Sequence, residues 1–251
     1  MHNIQQAKGE ALKALHRREG LFVIANPWDA GSAKMLAALG FEALATTSAG
    51  LAFSLGKADG ISVVTREETL ENARVIVEAV PLPVSLVGGS IEDTTGNSED
   101  PILPFDLAVE RVKAAVAAAR SLPFTFTLTA RAENFIRRRA DLPDTIKRLV
   151  AFADAGADVL YAPGLATIDD VKAIVTAVAP KPVNVVIGLG KAAFTLGDLA
   201  GAGVKRVSIG SSFARVAYSS FFHAAKEIKE GRNFDFGAGI IPYAELNRMF
   251  G

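Results

Sequence analysis

The sequence predicts a single-domain α/β protein of the TIM-type (β/α)8 barrel class. Three observations carry this. Short apolar runs recur, and each stops at a polar residue. Helix-like stretches separate the runs. The chain has 251 residues, close to the size of one such barrel, about 250. In a parallel barrel the carboxyl ends of all strands open on one face, where the chemistry is done. Ser48 follows the run 43–47, Glu92 and Asp93 follow 84–91, and Arg131 and Glu133 follow 124–130, while Asn184 lies within 182–187.

Residues 6–18 read as an opening helix with Ala7, Leu12 and Leu15 on its apolar face. A strand at 21–25 and a helix at 29–39 follow, the helix ending at Gly40, a residue suited to the left-handed stop. After the strand at 43–47 comes a long loop, 48–65, with Gly50, Gly56 and Gly60. Thr65-Arg66-Glu67-Glu68 reads as a capping box for a helix reaching residue 80. Pro81-Leu82-Pro83 introduces an apolar strand, 84–91, and 94–105 is a polar loop. Helices at 106–120, 142–155, 168–178, 196–202 and 212–229 alternate with strands at 124–130, 158–162, 182–187 and 206–209. Gly40, Gly156 and Gly203 each precede a short turn and a buried strand, the joint of a parallel barrel. No linker interrupts residues 1–251, so one domain is expected. A last amphipathic helix at 243–250 could pack on a second copy or close its own barrel.

Composition narrows the function. Lys plus Arg and Asp plus Glu number 27 each, which disfavours a nucleic-acid partner. The chain has no cysteine, so disulfides, thiolate metal sites and a cysteine acid or base are excluded. No apolar stretch is long enough to span a bilayer, and the first residues lack a signal-peptide core. A soluble, cytoplasmic protein with no membrane partner is the expectation.

Several segments together resemble the isocitrate lyase and phosphoenolpyruvate mutase superfamily, in its mutase-like bacterial branch. They are Asn26-Pro27-Trp28-Asp29-Ala30-Gly31-Ser32-Ala33, Thr46-Thr47-Ser48-Ala49-Gly50, Gly88-Gly89-Ser90-Ile91-Glu92-Asp93, Thr129-Ala130-Arg131-Ala132-Glu133-Asn134-Phe135 and Ala155-Gly156-Ala157-Asp158. The resemblance implies a lyase or mutase that makes or breaks a C–C or P–C bond of a small 2-oxo acid beside an enolate. Mg2+ or hydrogen-bond donors would stabilise the enolate charge. It also implies roles. Ser48, with the Gly50 and Leu51 backbone, would receive a carboxylate or the enolate oxygen. Arg131 would grip the substrate acid, and Asn184 would line the pocket. Glu92 would hold metal-bound water, and Asp59 would act in catalysis or beside the metal. Relatives assemble as homodimers or homotetramers.

Two departures from the family pattern stand out. Relatives carry an acidic Asp-x-(Asp/Glu)-x-Gly-Tyr-Gly motif and a helix after the strand that begins like Leu82-Pro83-Val84-Ser85. Here Ser85 runs directly into Leu86-Val87-Gly88-Gly89. One βα unit is thus expected to be lacking between Ser85 and Leu86, and seven strands are countable. The lyases' cysteine loop is also absent, which argues against isocitrate or methylisocitrate cleavage. A degenerate barrel that binds an oxo acid or a protein without catalysis is the rival expectation.

Plainer readings exist for most of these residues. Arg131 could simply pair with Glu133 or Glu92. Asp59-Gly60 could be turn chemistry. Arg137-Arg138-Arg139 reads as a solvated face. The serines in 203–212 read as helix caps rather than a phosphate loop. Lys191 is a minor candidate for a Schiff base.

Overall fold

A computed structural model describes residues 2–60, 63–84, 87–188, 194–231, 237 and 239–250. Six parallel strands curl into a half-barrel: β1 (Phe22–Ile24), β2 (Gly88–Glu92), β3 (Thr127–Arg131), β4 (Val159–Tyr161), β5 (Val183–Val186) and β6 (Arg206–Ser208). Their order is β1-β6-β5-β4-β3-β2. Beyond β1 the sheet continues by two parallel single-residue bridges, Ala25 to Leu44 and Leu44 to Val84. Among the described residues eight parallel positions therefore exist, two of them one residue deep.

This resolves the strand count in an unexpected way. The run 84–91 is not one strand. Val84 pairs beside Leu44 at one edge of the sheet, and Gly88–Glu92 pairs with β3 at the other. Only residues 85–87 join the two edges, with the Val87 N–H donating to the Val84 carbonyl at 3.0 Å. The expected gap between Ser85 and Leu86 falls outside the described residues. The strand predicted at 43–47 likewise shrinks to its bridge at Leu44.

Alternation along the strands separates two surfaces. Ala130, Leu160, Val183, Val185 and Val207 face outward and join the main core. That core includes Val112 from α5 (Phe105–Arg120), Leu149 and Phe152 from α6 (Leu142–Asp154), Val171 and Ile174 from α7 (Ile168–Val178), and Leu199 from α8 (Leu196–Gly201). A second core packs Leu36 of α2 (Ala30–Ala38) and Ile76 of α4 (Arg66–Ala79) on Ala25, Leu44 and Val84. The helix α1 (His2–Arg17) closes the N-terminal end, where Leu12 and Leu15 meet Phe22, Ile24, Ala43 and Val87.

Local signals explain the helix starts. Thr65 and Glu68 form the expected capping box, and Asp29 caps α2 with Ser32 answering. The 48–65 segment is not all loop. Thr47 caps a short helix, α3 (Ser48–Ser54), by accepting the Gly50 N–H. Gly50 is required for packing here: a Cβ would lie 2.5 Å from Thr47 Cγ2 and 2.8 Å from Trp28 Cβ. After β6, α9 (Ser212–Lys229) buries only Ser212 and Ala214, while the last helix α10 (Tyr243–Phe250) lies against α2 of its own chain. Lys34 Nζ donates to the Phe250 carbonyl at 2.7 Å.

Candidate functional site at the C-terminal mouth

The last residues of β2, β3, β4 and β6 are Glu92, Arg131, Tyr161 and Ser208. Period-two alternation turns alternate residues into the curl, so these four gather at its C-terminal mouth. Arg131 is the hub. Its Nη1 lies 2.7 Å from Glu92 and its Nη2 2.8 Å from Glu133. Nε donates to Glu133 at 2.9 Å. The guanidinium stands 4.8 Å from the centre of the Tyr161 ring, a cation–π distance. Both plainer readings of Arg131, pairing with Glu92 or with Glu133, hold at once.

The two carboxylates differ. The Glu92 side chain keeps 34% of its surface exposed and Glu133 1%. Burial pushes the Glu133 carboxyl above the usual carboxylate range, against the pull of Arg131. Burial disfavours the charge on Arg131, but Tyr161, Glu133 and Glu92 outweigh it and raise its pKa. Burial also pushes the Tyr161 phenol up to about 12, so it keeps its proton at neutral pH. Asp93 turns away from the mouth. It is buried, accepts the Glu133 N–H at 2.8 Å and faces Arg148 at 3.3 Å. Burial raises its carboxyl too.

Below the mouth the interior is polar. Asn184 Oδ1 accepts from Arg206 Nε at 2.7 Å, and its Nδ2 donates to Ser208 at 3.0 Å. Arg206 also donates to Thr129 at 3.0 Å. Asn184 is thus engaged deep in the interior, 1% exposed. Arg206 is buried, and burial lowers it to about 10. His16 Nδ1 lies 2.8 Å from the Leu12 carbonyl, so the proton sits there. Nε2 then faces Arg206 as an acceptor at 3.4 Å.

The other expected residues are more scattered. Ser48 is exposed at the start of α3. The Gly50 N–H is taken by Thr47 Oγ1, and the Leu51 N–H by the Thr47 carbonyl. Those two amides serve the helix rather than a ligand. Asp59 is exposed in the following loop, and it has no ion pair among the described residues. Arg137 reaches Glu133 at 3.6 Å, and Arg139 donates to the Glu99 carbonyl. The Ile209 and Gly210 amides, which a phosphate loop would offer, donate to Asn26 Oδ1, both at 2.9 Å. Ser211 precedes α9 without capping it. Lys191 lies outside the described residues.

Tyr161 and Asn26 were not singled out by sequence reasoning. A tyrosine in an apolar run reads as core; only its place at a strand end marks it. Asn26 sits two residues after β1 and binds three strand ends together. Its Nδ2 donates to the Ala45 and Thr46 carbonyls, and its Oδ1 holds the loop after β6.

The residues present do not fit a resident Mg2+. Among the described residues no three of His, Asp or Glu come together as a ligand group. Glu92, expected to hold metal-bound water, is bound to Arg131 instead. Mg2+ asks for oxygen ligands in near-octahedral array, and a carboxylate committed to a guanidinium is a poor one.

Known proteins agree with the architecture. The phosphoenolpyruvate phosphomutase family matches residues 12–86 and 84–229. An uncharacterised protein of Mycobacterium tuberculosis is 32% identical over 253 residues, covering 92% of this chain and 93% of its own. A solved structure from Burkholderia cenocepacia, described as a candidate lyase/mutase, is 47% identical with a TM-score of 0.93. It covers 99% of this chain and 97% of its own. A second from that organism, described as a candidate phosphonomutase, is 30% identical with a TM-score of 0.77, covering 90% and 99%. 2,3-Dimethylmalate lyase, of the PEP mutase/isocitrate lyase superfamily, shares the fold at 21% identity, with a TM-score of 0.82 and coverage of 97% and 95%. The chain belongs to the phosphoenolpyruvate phosphomutase family.

Proposed function

We propose that this protein is an enzyme making or breaking a C–C or C–P bond of a small 2-oxo acid, bound at the mouth through Arg131. The observation that carries the reading is Arg131 itself: a charged, bidentate-capable donor at a strand end, with 20% of its side chain exposed. Breaking the bond beside a 2-oxo group leaves a negative charge on the carbonyl oxygen. A preorganised donor in a water-poor site stabilises that charge strongly. Arg131 supplies such a donor, and the protonated Tyr161 beneath it supports its orientation. Glu92, the more exposed partner, would yield its place on Arg131 to the substrate carboxylate. Glu133 would stay and hold the guanidinium plane.

Among the described residues the carboxylates do not assemble a ligand set for a metal. The split of the family match at residues 84–86 supports the reading that this chain lacks the unit carrying the acidic motif. The engaged state of Arg131 favours a second reading, a degenerate barrel that binds an oxo acid without turning it over. Exposed Val216, Phe221 and Phe222 on α9 support assembly as a homodimer or homotetramer.

Turnover of oxaloacetate and phosphonopyruvate, with Mg2+ and with EDTA, tests the proposal. Turnover lost in Arg131→Ala supports the enzyme. Oxaloacetate binding without turnover, weakened by the same change, supports the binding barrel. Neither binding nor turnover rejects both.

A further inference from the structure

A cavity of about 970 Å3 lies on the opposite, N-terminal face, between α1 and the starts of β3, β4 and β5. Metabolite pockets run to about 300–1,000 Å3, so its volume suits a small molecule. Its charge is one-sided. Lys13, Arg17, Arg120, Lys181 and Lys205 line it against one carboxylate, Asp158. That is an excess of four positive charges in a chain whose net charge is zero.

Asp158 is already used, 2.7 Å from Arg120. Glu10 lies beside the rim, hydrogen-bonded to Gln6 and Thr125. Lys181 donates to the Ala157 carbonyl, and Lys205 to those of Arg18 and Gly20. Carbonyls fix these ammonium groups in place but leave their charge uncancelled. Lys13 and Arg17, one turn apart on α1, form no ion pair among the described residues. Behind His16, the buried Arg206 has Asn184, Thr129 and His16 as partners and no carboxylate among the described residues. Phe124 and Phe126 contribute an apolar wall. Long side chains that hold like charges together around a cleft raise the local concentration of counter-ions.

We propose that this N-terminal cavity is a binding site for a small polyanion, a metabolite carrying several phosphate or carboxylate groups. It is separate from the C-terminal mouth and independent of the chemistry there.

Calorimetric titration of the full chain with inorganic tripolyphosphate and, separately, with citrate tests this. One site per chain is expected for at least one probe, and the tighter probe identifies the anionic group. The double change Lys13→Ala and Arg17→Ala should weaken that binding about tenfold or more, as loss of charged contacts does. Arg131→Ala should leave it unchanged. Neither α1 side chain forms an ion pair among the described residues, so the double variant should unfold at the wild-type temperature. Lys13→Gln alone offers a gentler change, with several-fold weakening expected. Saturation by neither probe overturns the proposal. So does wild-type affinity in the double variant, or loss of binding in an Arg131→Ala protein whose cooperative unfolding transition shows it to be folded. Preference for a single-stranded oligonucleotide over both probes would also overturn it, pointing to a nucleic-acid surface.

Discussion

Arg131 and Tyr161 are register partners on adjacent strands, and the guanidinium of the first lies over the ring of the second at 4.8 Å. The ring covers the face of the guanidinium while Glu92 and Glu133 hold its edge, so the plane is fixed on several sides. Arg131→Lys keeps the charge but cannot bridge two carboxylates and stack as well. It should weaken oxaloacetate binding by about 10–100-fold, measured by titration. Arg131→Ala also leaves the buried Glu133 with the more distant Arg137 at 3.6 Å in place of two close donors and should cost about 3–5 kcal/mol of stability in urea unfolding. Oxaloacetate affinity unchanged in Arg131→Lys would rule out the grip.

The Glu133 carboxyl is held above its ordinary range by burial. A raised carboxyl binds its proton more tightly in the folded state. Its stabilising contribution is therefore complete below the unfolded value, near 4.3, and is lost as pH rises through the folded one. Glu133→Gln removes this dependence. The stability of the wild type relative to that variant should fall from pH 4 towards neutrality, which paired unfolding curves would show. A constant difference would contradict the assignment.

His16 behaves oppositely. Burial, aided by the charge of Arg206, lowers it to about 4. The unfolded chain takes up a proton near pH 6.5, where the folded chain does not. The stabilising contribution is full above about pH 6.5 and declines down to about pH 4, by at most about 3 kcal/mol. His16→Gln, which keeps an acceptor for Arg206, should flatten the acid limb of a stability–pH curve over that window.

Gly50→Ala would push a methyl group against Thr47 and the Trp28 side chain. Overpacking of this kind costs about 1–3 kcal/mol, which for a chain of this size lowers Tm by several degrees. Calorimetry should show that fall together with increased proteolysis within 48–65.

Asn26→Asp should be worse than its small chemical change suggests. A carboxylate can still accept from Ile209 and Gly210, but it cannot donate to the Ala45 and Thr46 carbonyls. A buried unsatisfied pair costs about 1–3 kcal/mol per group. The expected result is a lower Tm and faster amide exchange at 45–47 and 209–210.

The legible parts of this molecule are the locally encoded ones. Gly40, Gly156 and Gly203 do take positive φ at helix ends, and Thr65 with Glu68 caps as its spacing says. Strand-end position brought Glu92 and Arg131 forward, and they do meet. What was illegible depends on distant pairing. The apolar continuity of 84–91 hides that its two parts belong to opposite sheet edges. Thr47 reads as the end of a strand, yet it caps α3, because a helix of only seven residues with Gly50 in its first turn shows little apolar periodicity. Asp59 rested on resemblance alone, and it lies exposed without an ion pair among the described residues. The direction of the C-terminal elements was equally hidden: α10 lies on its own α2 while α9 is left largely uncovered.

The short link between Val84 and Gly88 has a consequence for how the fold can change. Two sheet edges that would otherwise have to find each other are born as near neighbours on the chain. The entropy of bringing them together is small, and it grows only slowly with the length of whatever lies between, by about 0.6 kcal/mol per doubling. Chain inserted ahead of Val87 would leave the β2–β3 ladder and the Leu44–Val84 bridge with their partners. The junction is thus a place where a segment can be gained or lost in descent at little thermodynamic penalty, while Leu44 on one side and β3 on the other keep their partners.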